Sequence, residues 1–215
     1  MEGASFLKEH KAVLFLLIMY LVGITGHLIP STRGLMISLT PFTLLLTGGI
    51  VAYKTFSHNN KYFVYWGIIT YIVTFILEVV GVKTGLIFGK YEYGDILGFK
   101  LLEVPLLIGF NWVLVILGAI SISKLFAGNK IGISVLAAFI AVTFDYYLEP
   151  VAIKFGYWSW ESVAVPLQNY AAWFIIAFTF SMALLKINPV FNKGISREYV
   201  LIQLMFFVIL NLFMR

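Results

Sequence analysis

The stretch Leu77-Glu78-Val79-Val80-Gly81-Val82-Lys83 returns later in the chain as Leu148-Glu149-Pro150-Val151-Ala152-Ile153-Lys154. Each copy leads into an aromatic segment marked by glycine and then into Val-Pro-Leu, at 104–106 and 165–167. Several matches in the same order indicate an internal repeat. The repeat places a glutamate near the end of each of two apolar segments, and the composition shows what kind of segments these are.

The composition is that of a membrane protein. Hydrophobic residues make up 61% of the 215 residues and charged residues 12%, with a mean hydropathy of +0.96. A soluble domain cannot bury that much apolar surface. Because about 20 apolar residues cross the hydrocarbon layer, the sequence predicts seven spans. They lie at 12–29, 35–53, 62–80, 104–123, 131–149, 169–186 and 199–213.

The predicted fold is an all-α integral membrane bundle of about seven transmembrane helices, forming a single transmembrane domain over residues 1–215. Two spans separate the repeat copies, at about 62–123 and 131–186, so the copies run in the same direction as parallel helical hairpins. We expect the prolines of the Val-Pro-Leu segments to start the fourth and sixth helices, where a missing N–H is tolerated.

The charges predict the topology. The net charge of +5 is spread through short loops, so it indicates no nucleic-acid partner. Nine basic residues lie on the N-terminal side of the predicted bundle and six on the other. The positive-inside rule therefore predicts a multi-pass protein of the cell (inner) membrane with a cytoplasmic N-terminus. Most acids gather at the opposite face: Glu78, Glu92, Asp95, Glu103, Asp145, Glu149 and Glu161.

Carboxylates inside spans are candidate catalytic groups, because an ionisable side chain there is costly unless it is paired, protonated or facing water. Asp145 and Glu149 are four residues apart, so they share a helix face about 6 Å apart along the axis. Two such neighbours do not both ionise easily, and one is expected to hold a proton as a general acid. The repeat favours Asp145 as the acid, because a duplicated scaffold is expected to use its shared residues for structure and its unshared ones for chemistry. The counterpart of Asp145 is Thr74, whereas the counterpart of Glu149 is Glu78.

Asn111 breaks the repeat in the same way, because Ala172 replaces it in the second copy. We therefore include it with Asp145, Glu149 and Glu78 among the candidate catalytic residues. Lys83 and Lys154 recur with the two glutamates and are expected to pair with them or tune them. The alternative is a duplicated hairpin whose shared residues only pack, cap helices or pair at the membrane surface.

Aromatic residues crowd the two acid-bearing loops, namely Tyr91, Tyr93, Tyr157, Trp158 and Trp160. They form either an interfacial belt or a wall that stacks on a polyene and stabilises a cation. The chain has no cysteine, which excludes disulfides and thiolate sites. Its three histidines, His10, His27 and His58, lie at or near span ends, so no metal site is predicted.

Two sets of strings resemble the carotenoid biosynthesis protein family over about residues 65–185. The first comprises residues 75–85, Phe88-Gly89-Lys90-Tyr91-Glu92-Tyr93, Leu97-Gly98 and Val104-Pro105-Leu106. The second comprises Asp145-Tyr146-Tyr147-Leu148-Glu149-Pro150-Val151-Ala152 and Gly156-Tyr157-Trp158-Ser159-Trp160. The family's best-known members are membrane carotenoid C1′,C2′-hydratases of the bisanhydrobacterioruberin hydratase type.

The resemblance implies a cofactor-independent enzyme that adds water across the terminal C1′=C2′ bond of an acyclic carotenoid end of the lycopene, γ-carotene or bisanhydrobacterioruberin type. Asp145 would protonate C2′, Glu149 or Glu78 would orient water, and Asn111 would hydrogen-bond the water or the acid. The carotenoid would enter from the bilayer, with membrane lipids as the other partner; no oligomeric state is implied. The expected pocket residues are Tyr91, Tyr93, Trp112, Tyr157, Trp158, Trp160, Lys83 and Lys154.

Three other classes share some of these features. A lycopene-cyclase-like enzyme begins with the same protonation but lets an internal double bond capture the cation. A transporter or proton channel also carries intramembrane acids and parallel repeats, although its acids are expected near the midplane. A retinal photoreceptor is disfavoured because the last span, 199–213, contains no lysine.

Overall fold

The structure is a computed structural model that describes residues 2–56, 61–162 and 164–214, with side chains from His10 onward. Six of its helices are long and apolar enough to cross a membrane, which confirms the predicted all-α membrane bundle. The helices are α1 Glu2–Leu28, α2 Pro30–Phe56, α3 Lys61–Thr84, α4 Leu107–Ser123, α5 Lys130–Phe155, α6 Leu167–Ile187 and α7 Lys193–Phe213. Of these, α4 is a shorter apolar helix of 17 residues.

Helix α4 begins three residues later than predicted, because Val104 and Pro105 belong to a short strand. Strand β2 (Lys100–Leu101) pairs antiparallel with β3 (Val104–Pro105). The intervening turn places Leu102 and Glu103 at positive φ angles of 52° and 73°. In the second copy, Pro166 is the residue directly before α6, as the sequence predicted.

The two loops predicted to carry the aromatic residues pair with each other. Strand β1 (Tyr91–Tyr93) is antiparallel to β4 (Trp158–Trp160), with Tyr91 opposite Trp160 and Tyr93 opposite Trp158. Beside this ribbon, Gly94 N–H donates to the carbonyl of Tyr157 at 2.9 Å. A Cβ at Gly94 would lie 2.1 Å from the carbonyl oxygen of Gly156, so this close approach requires glycine.

Helix packing follows the repeat. Helix α3 packs on α4 and α6, and α5 packs on α6 and α4. A two-fold rotation that exchanges α3 with α5 and α4 with α6 produces this pattern. The same rotation exchanges β1 with β4, which pair with each other. This packing pattern is the one that the predicted parallel repeat requires.

Helix α7 joins the repeat to the first hairpin, because it packs on α1, α2, α4 and α5. Its contact with α4 is close at Gly118, where a Cβ would lie 2.7 Å from the carbonyl oxygen of Ser196. Deeper in the bundle, Gln203 Nε2 donates to the hydroxyls of Tyr20 at 2.7 Å and Tyr199 at 3.1 Å. The bond to Tyr20 fixes α7 against α1, and the hydrophobic effect alone would not do so inside a membrane, because lipid is as apolar as a helix surface.

Candidate active site

Glu78 near the end of α3 is surrounded by hydrogen-bond donors. Its side chain is 4% exposed. Tyr93 Oη donates to Oε2 at 2.8 Å, Tyr91 Oη donates to the same oxygen, and Trp112 Nε1 donates to Oε1 at 2.8 Å. A buried carboxylate needs such partners. The donors come from β1 and α4, so Glu78 ties the loop of the first copy to the helix that follows it.

Glu149 near the end of α5 repeats this arrangement with tryptophans. It is 2% exposed, and its Oε2 accepts from Trp158 Nε1 at 2.9 Å and Trp160 Nε1 at 2.8 Å. Each glutamate thus accepts from the first and third residues of its own copy's strand. The repeat therefore builds two related carboxylate sites on one side of the β1–β4 ribbon.

Asp145 belongs to the second copy alone and has a different partner. It is 1% exposed and lies one helix turn before Glu149. Its Oδ2 accepts from Asn169 Nδ2 on α6 at 2.6 Å. Among the described residues, Asp145 Oδ1 and Glu149 Oε1 have no hydrogen-bond donor. Each of these two acids therefore keeps one oxygen available for a proton, water or substrate.

Two tryptophans stack between the copies. The rings of Trp112 on α4 and Trp173 on α6 have centroids 3.9 Å apart and planes inclined by 27°. They occupy equivalent positions, since each lies seven residues past the proline of its Val-Pro-Leu segment. The stacked pair forms an aromatic surface beside Glu78, to which Trp112 is bonded.

A cavity of about 210 Å³ unites these groups. It draws lining residues from all seven helices and from the β1 and β4 loops, and most of its wall is apolar or aromatic. The sequence-predicted residues that line it are Glu78, Tyr91, Tyr93, Asn111, Trp112, Asp145, Glu149, Tyr157, Trp158 and Trp160. An apolar pocket with a few convergent polar groups has the form of a binding site for a small hydrophobic group.

The hydrogen bonds contradict the predicted pairing of lysines with the glutamates. Lys83 is exposed, and Lys154 Nζ donates to the carbonyl oxygen of Met214. Neither lysine is among the residues that line the cavity. Five residues along an α-helix turn a side chain by about 140°, so each lysine leaves the face that carries its glutamate. Aromatic N–H and O–H groups take their place.

Asn111 lines the cavity as expected, but the amide that bonds the acid is Asn169. Of the two expected partners of Asn111, the acid is therefore ruled out, and a hydrogen bond to water stays a prediction. The reasoning that selected Asn111 could have found Asn169, because its counterpart in the first copy is the apolar Ile108. Trp173 was also not predicted as a site residue, although in the sequence it occupies the position equivalent to Trp112.

The loop tyrosines remain protonated donors. Burial raises the pKa of both Tyr91 and Tyr93, and the nearby charge of Glu78 acts in the same direction. Burial also raises the pKa of Tyr157 to about 12, against a smaller opposing effect of its hydrogen bond with Thr40. That bond, 2.9 Å between Tyr157 Oη and Thr40 Oγ1, joins the β4 loop to α2.

No group of three or more potential metal ligands occurs among the described residues. Of the three histidines, His58 lies outside the described residues. His27 lies in the last turn of α1 and lines the cavity.

The chain is similar to known proteins over much of its length. The family model described as carotenoid biosynthesis protein matches residues 39–215. The chain is also similar to a bisanhydrobacterioruberin hydratase from Haloarcula japonica, with 35% identity over 109 residues, or 46% of this chain. The matched segment covers 36% of that relative. No solved structure matches the chain. Since the family model spans the acid-bearing repeat and well over half of the sequence, the chain belongs to the carotenoid biosynthesis protein family.

Proposed function

We propose that this protein hydrates an acyclic carotenoid end group by adding water across its terminal C1′=C2′ double bond. The observation that carries the proposal is the pair of buried acids, Asp145 and Glu149, on the wall of an apolar cavity. Each of them has one oxygen free of donors among the described residues. The similarity to a protein named as a hydratase supports the same chemistry.

In the first step, Asp145 gives its proton to C2′. Asn169 Nδ2 occupies Oδ2, so the proton resides on Oδ1. The π electrons of the double bond form the new C2′–H bond, and the positive charge develops on C1′. The tertiary carbon is the more stable position for that charge, which fixes the direction of addition. A positioned acid contributes on the order of 10²–10⁴-fold to such a step.

The cation then meets an electron-rich wall. The stacked rings of Trp112 and Trp173 line the cavity, as do the rings of the β1 and β4 loops. A cation over an aromatic face gains about 0.5–2 kcal/mol. Glu78, which accepts three hydrogen bonds, lies on the same cavity wall.

In the second step, water attacks C1′ and its oxygen forms the new C–O bond. The protonated alcohol releases one proton to Glu149, whose Oε1 has no donor among the described residues. Asn111, on the cavity wall, orients the water. Transfer of that proton from Glu149 to Asp145, one helix turn away, restores the acid. The net reaction consumes one alkene and one water and gives one tertiary alcohol.

The test is incubation of the purified protein with lycopene or γ-carotene in water enriched in heavy oxygen. We expect a product heavier than the substrate by one water and carrying the label at its tertiary hydroxyl. A new product with the same mass as the substrate would contradict hydration and support the cyclase alternative, in which an internal double bond captures the cation. Proton flux through liposomes that contain the protein but no carotenoid would instead support a channel.

A further inference from the structure

His27 is a polar group in the cavity wall for which the proposed mechanism has no role. It lies in the last turn of α1, is 4% exposed and lines the cavity. Its ring packs against Phe155, with centroids 4.8 Å apart, and against Phe206, at 5.6 Å in an edge-on arrangement. The two phenyl rings hold the imidazole in one place.

The backbone of α1 fixes which ring nitrogen carries hydrogen. His27 Nδ1 lies 2.6 Å from the carbonyl oxygen of Gly23. A carbonyl only accepts hydrogen bonds, so Nδ1 is the donor. In the neutral ring, Nε2 is then a bare acceptor. Arg33 stabilises the same turn, because its Nε donates to the carbonyl of His27 at 2.8 Å.

Nε2 is buried and has no hydrogen-bond partner among the described residues. A buried acceptor left without a donor lowers the stability of the fold. The donors of the β1 and β4 loops and of Trp112 do not reach Nε2, because Tyr91, Tyr93 and Trp112 donate to Glu78. Trp158 and Trp160 bond to Glu149, and the Tyr157 hydroxyl bonds to Thr40. The missing donor therefore comes from what the cavity binds.

We propose that His27 Nε2 accepts a hydrogen bond from an O–H group bound in the cavity, either the water that is added or the tertiary hydroxyl of the product. This inference rests on the proposed hydration, since a carotenoid hydrocarbon carries no such donor. His27 thereby holds the oxygen atom of the reaction at a defined place on the cavity wall.

Three variants separate this role from a structural one. In His27→Gln the side-chain oxygen reaches the position of Nε2, whereas in His27→Asn the amide nitrogen retains only the bond to Gly23. His27→Phe removes both but keeps an aromatic ring against Phe155. We expect the yield of labelled alcohol to fall about tenfold in His27→Asn and His27→Phe and to stay within about threefold of wild type in His27→Gln. Full activity in His27→Asn with loss in His27→Gln would overturn the proposal, as would equal activity in all three.

A binding measurement identifies the source of the O–H group and does not depend on turnover. The change in tryptophan fluorescence, to which the cavity residues Trp112, Trp158, Trp160 and Trp173 contribute, reports binding of 2,6-dimethyl-2-octanol and of the matching alkene, 2,6-dimethyl-2-octene. A preference for the alcohol that His27→Phe removes assigns the contact to the product hydroxyl. An unchanged preference combined with loss of hydration in His27→Phe assigns it to water.

The same measurement distinguishes the two possible failures. If wild type yields no labelled alcohol from any carotenoid offered, the proposed hydration is contradicted. The binding measurement alone then tests whether His27 accepts a hydrogen bond from a bound O–H group. In that case a preference for the alcohol that His27→Phe removes sustains the acceptor site, and equal preferences in both proteins reject it.

Discussion

Asn169 Nδ2 donates a hydrogen bond of 2.6 Å to Asp145 Oδ2, and neither residue has a like counterpart in the other copy of the repeat. Thr74 stands where the second copy has Asp145, and its hydroxyl donates to the carbonyl of Thr70 within its own helix. Ile108 stands in place of Asn169. The duplicated scaffold therefore holds Glu78 and Glu149 alike, while one unshared acid and one unshared amide make the two halves chemically different.

Replacing Asp145 by asparagine removes the proposed proton donor with little change in shape. We expect Asp145→Asn to lower the yield of labelled alcohol by at least about 100-fold, because protonation of C2′ starts the reaction. Product mass spectrometry after incubation in heavy-oxygen water measures this. Glu161→Gln is the matched control, since Glu161 is an exposed acid that pairs with Lys90 at 3.2 Å. Undiminished label incorporation in Asp145→Asn would contradict the assignment of Asp145 as the proton donor.

Asn169 is expected to act through Asp145. Asn169→Ala leaves the acid without its amide donor and should lower activity by about tenfold, in line with loss of one buried hydrogen bond. A double-mutant cycle tests the connection: on the Asp145→Asn background, Asn169→Ala should have almost no further effect. If the two losses multiply independently, Asn169 serves some purpose other than positioning the acid.

Tyr157 should make stability depend on pH in the alkaline range. Its ordinary pKa of 10.0 is raised to about 12 by burial in the fold. Below pH 10 both the folded and unfolded chains are protonated there. As pH rises from about 10 towards 12, the unfolded chain loses a proton that the folded chain retains, so the free energy of unfolding falls.

Thermal unfolding in detergent measures this effect by comparing wild type with Tyr157→Phe. The variant lacks the bond to Thr40 and should be less stable near neutral pH by about 1 kcal/mol. Its melting temperature should then fall less steeply than that of wild type between pH 10 and 12. Parallel curves for the two proteins would mean that Tyr157 titrates alike in the folded and unfolded states.

Gly94 is predicted to be intolerant of any side chain. In Gly94→Ala the new methyl group would lie 2.1 Å from the carbonyl oxygen of Gly156, so the β1 and β4 loops must separate. We expect lower thermal stability and at least about tenfold lower activity, because the two loops supply the donors of Glu78 and Glu149. Gly128→Ala is the control, since nothing lies within 4 Å of a Cβ there. Equal melting temperatures for the two variants would contradict the close approach.

The absence of cysteine allows a direct test of orientation. Gly128 lies between α4 and α5, and Ser162 lies between α5 and α6, so they belong to opposite ends of the bundle. Both are exposed. With a cytoplasmic N-terminus, a membrane-impermeant maleimide should label Ser162→Cys in right-side-out vesicles and Gly128→Cys only in inverted ones. The reverse pattern would place the acid-rich face in the cytoplasm.

The sequence by itself determined the helices and the repeat. Runs of apolar residues locate each span because the hydrocarbon layer requires a helix of fixed length. The two Leu-Glu segments and the Val-Pro-Leu strings located the equivalent hairpins, and the i, i+4 spacing of Asp145 and Glu149 placed both acids on one face. These are local properties, since helix geometry alone connects the residues involved.

Only the tertiary structure decided which groups meet. The donors of Glu78 come from a loop and from α4, and Asn169 reaches Asp145 from another helix. The first two helices line the cavity together with α7, although they share no part of the repeat. Inside a membrane, side chains facing lipid and those facing other helices are both apolar, so hydropathy does not reveal which faces pack. The lysine pairing was wrong for a related reason: recurrence in sequence marked Lys83 and Lys154 as partners, while the pitch of the helix turned them away from the glutamates.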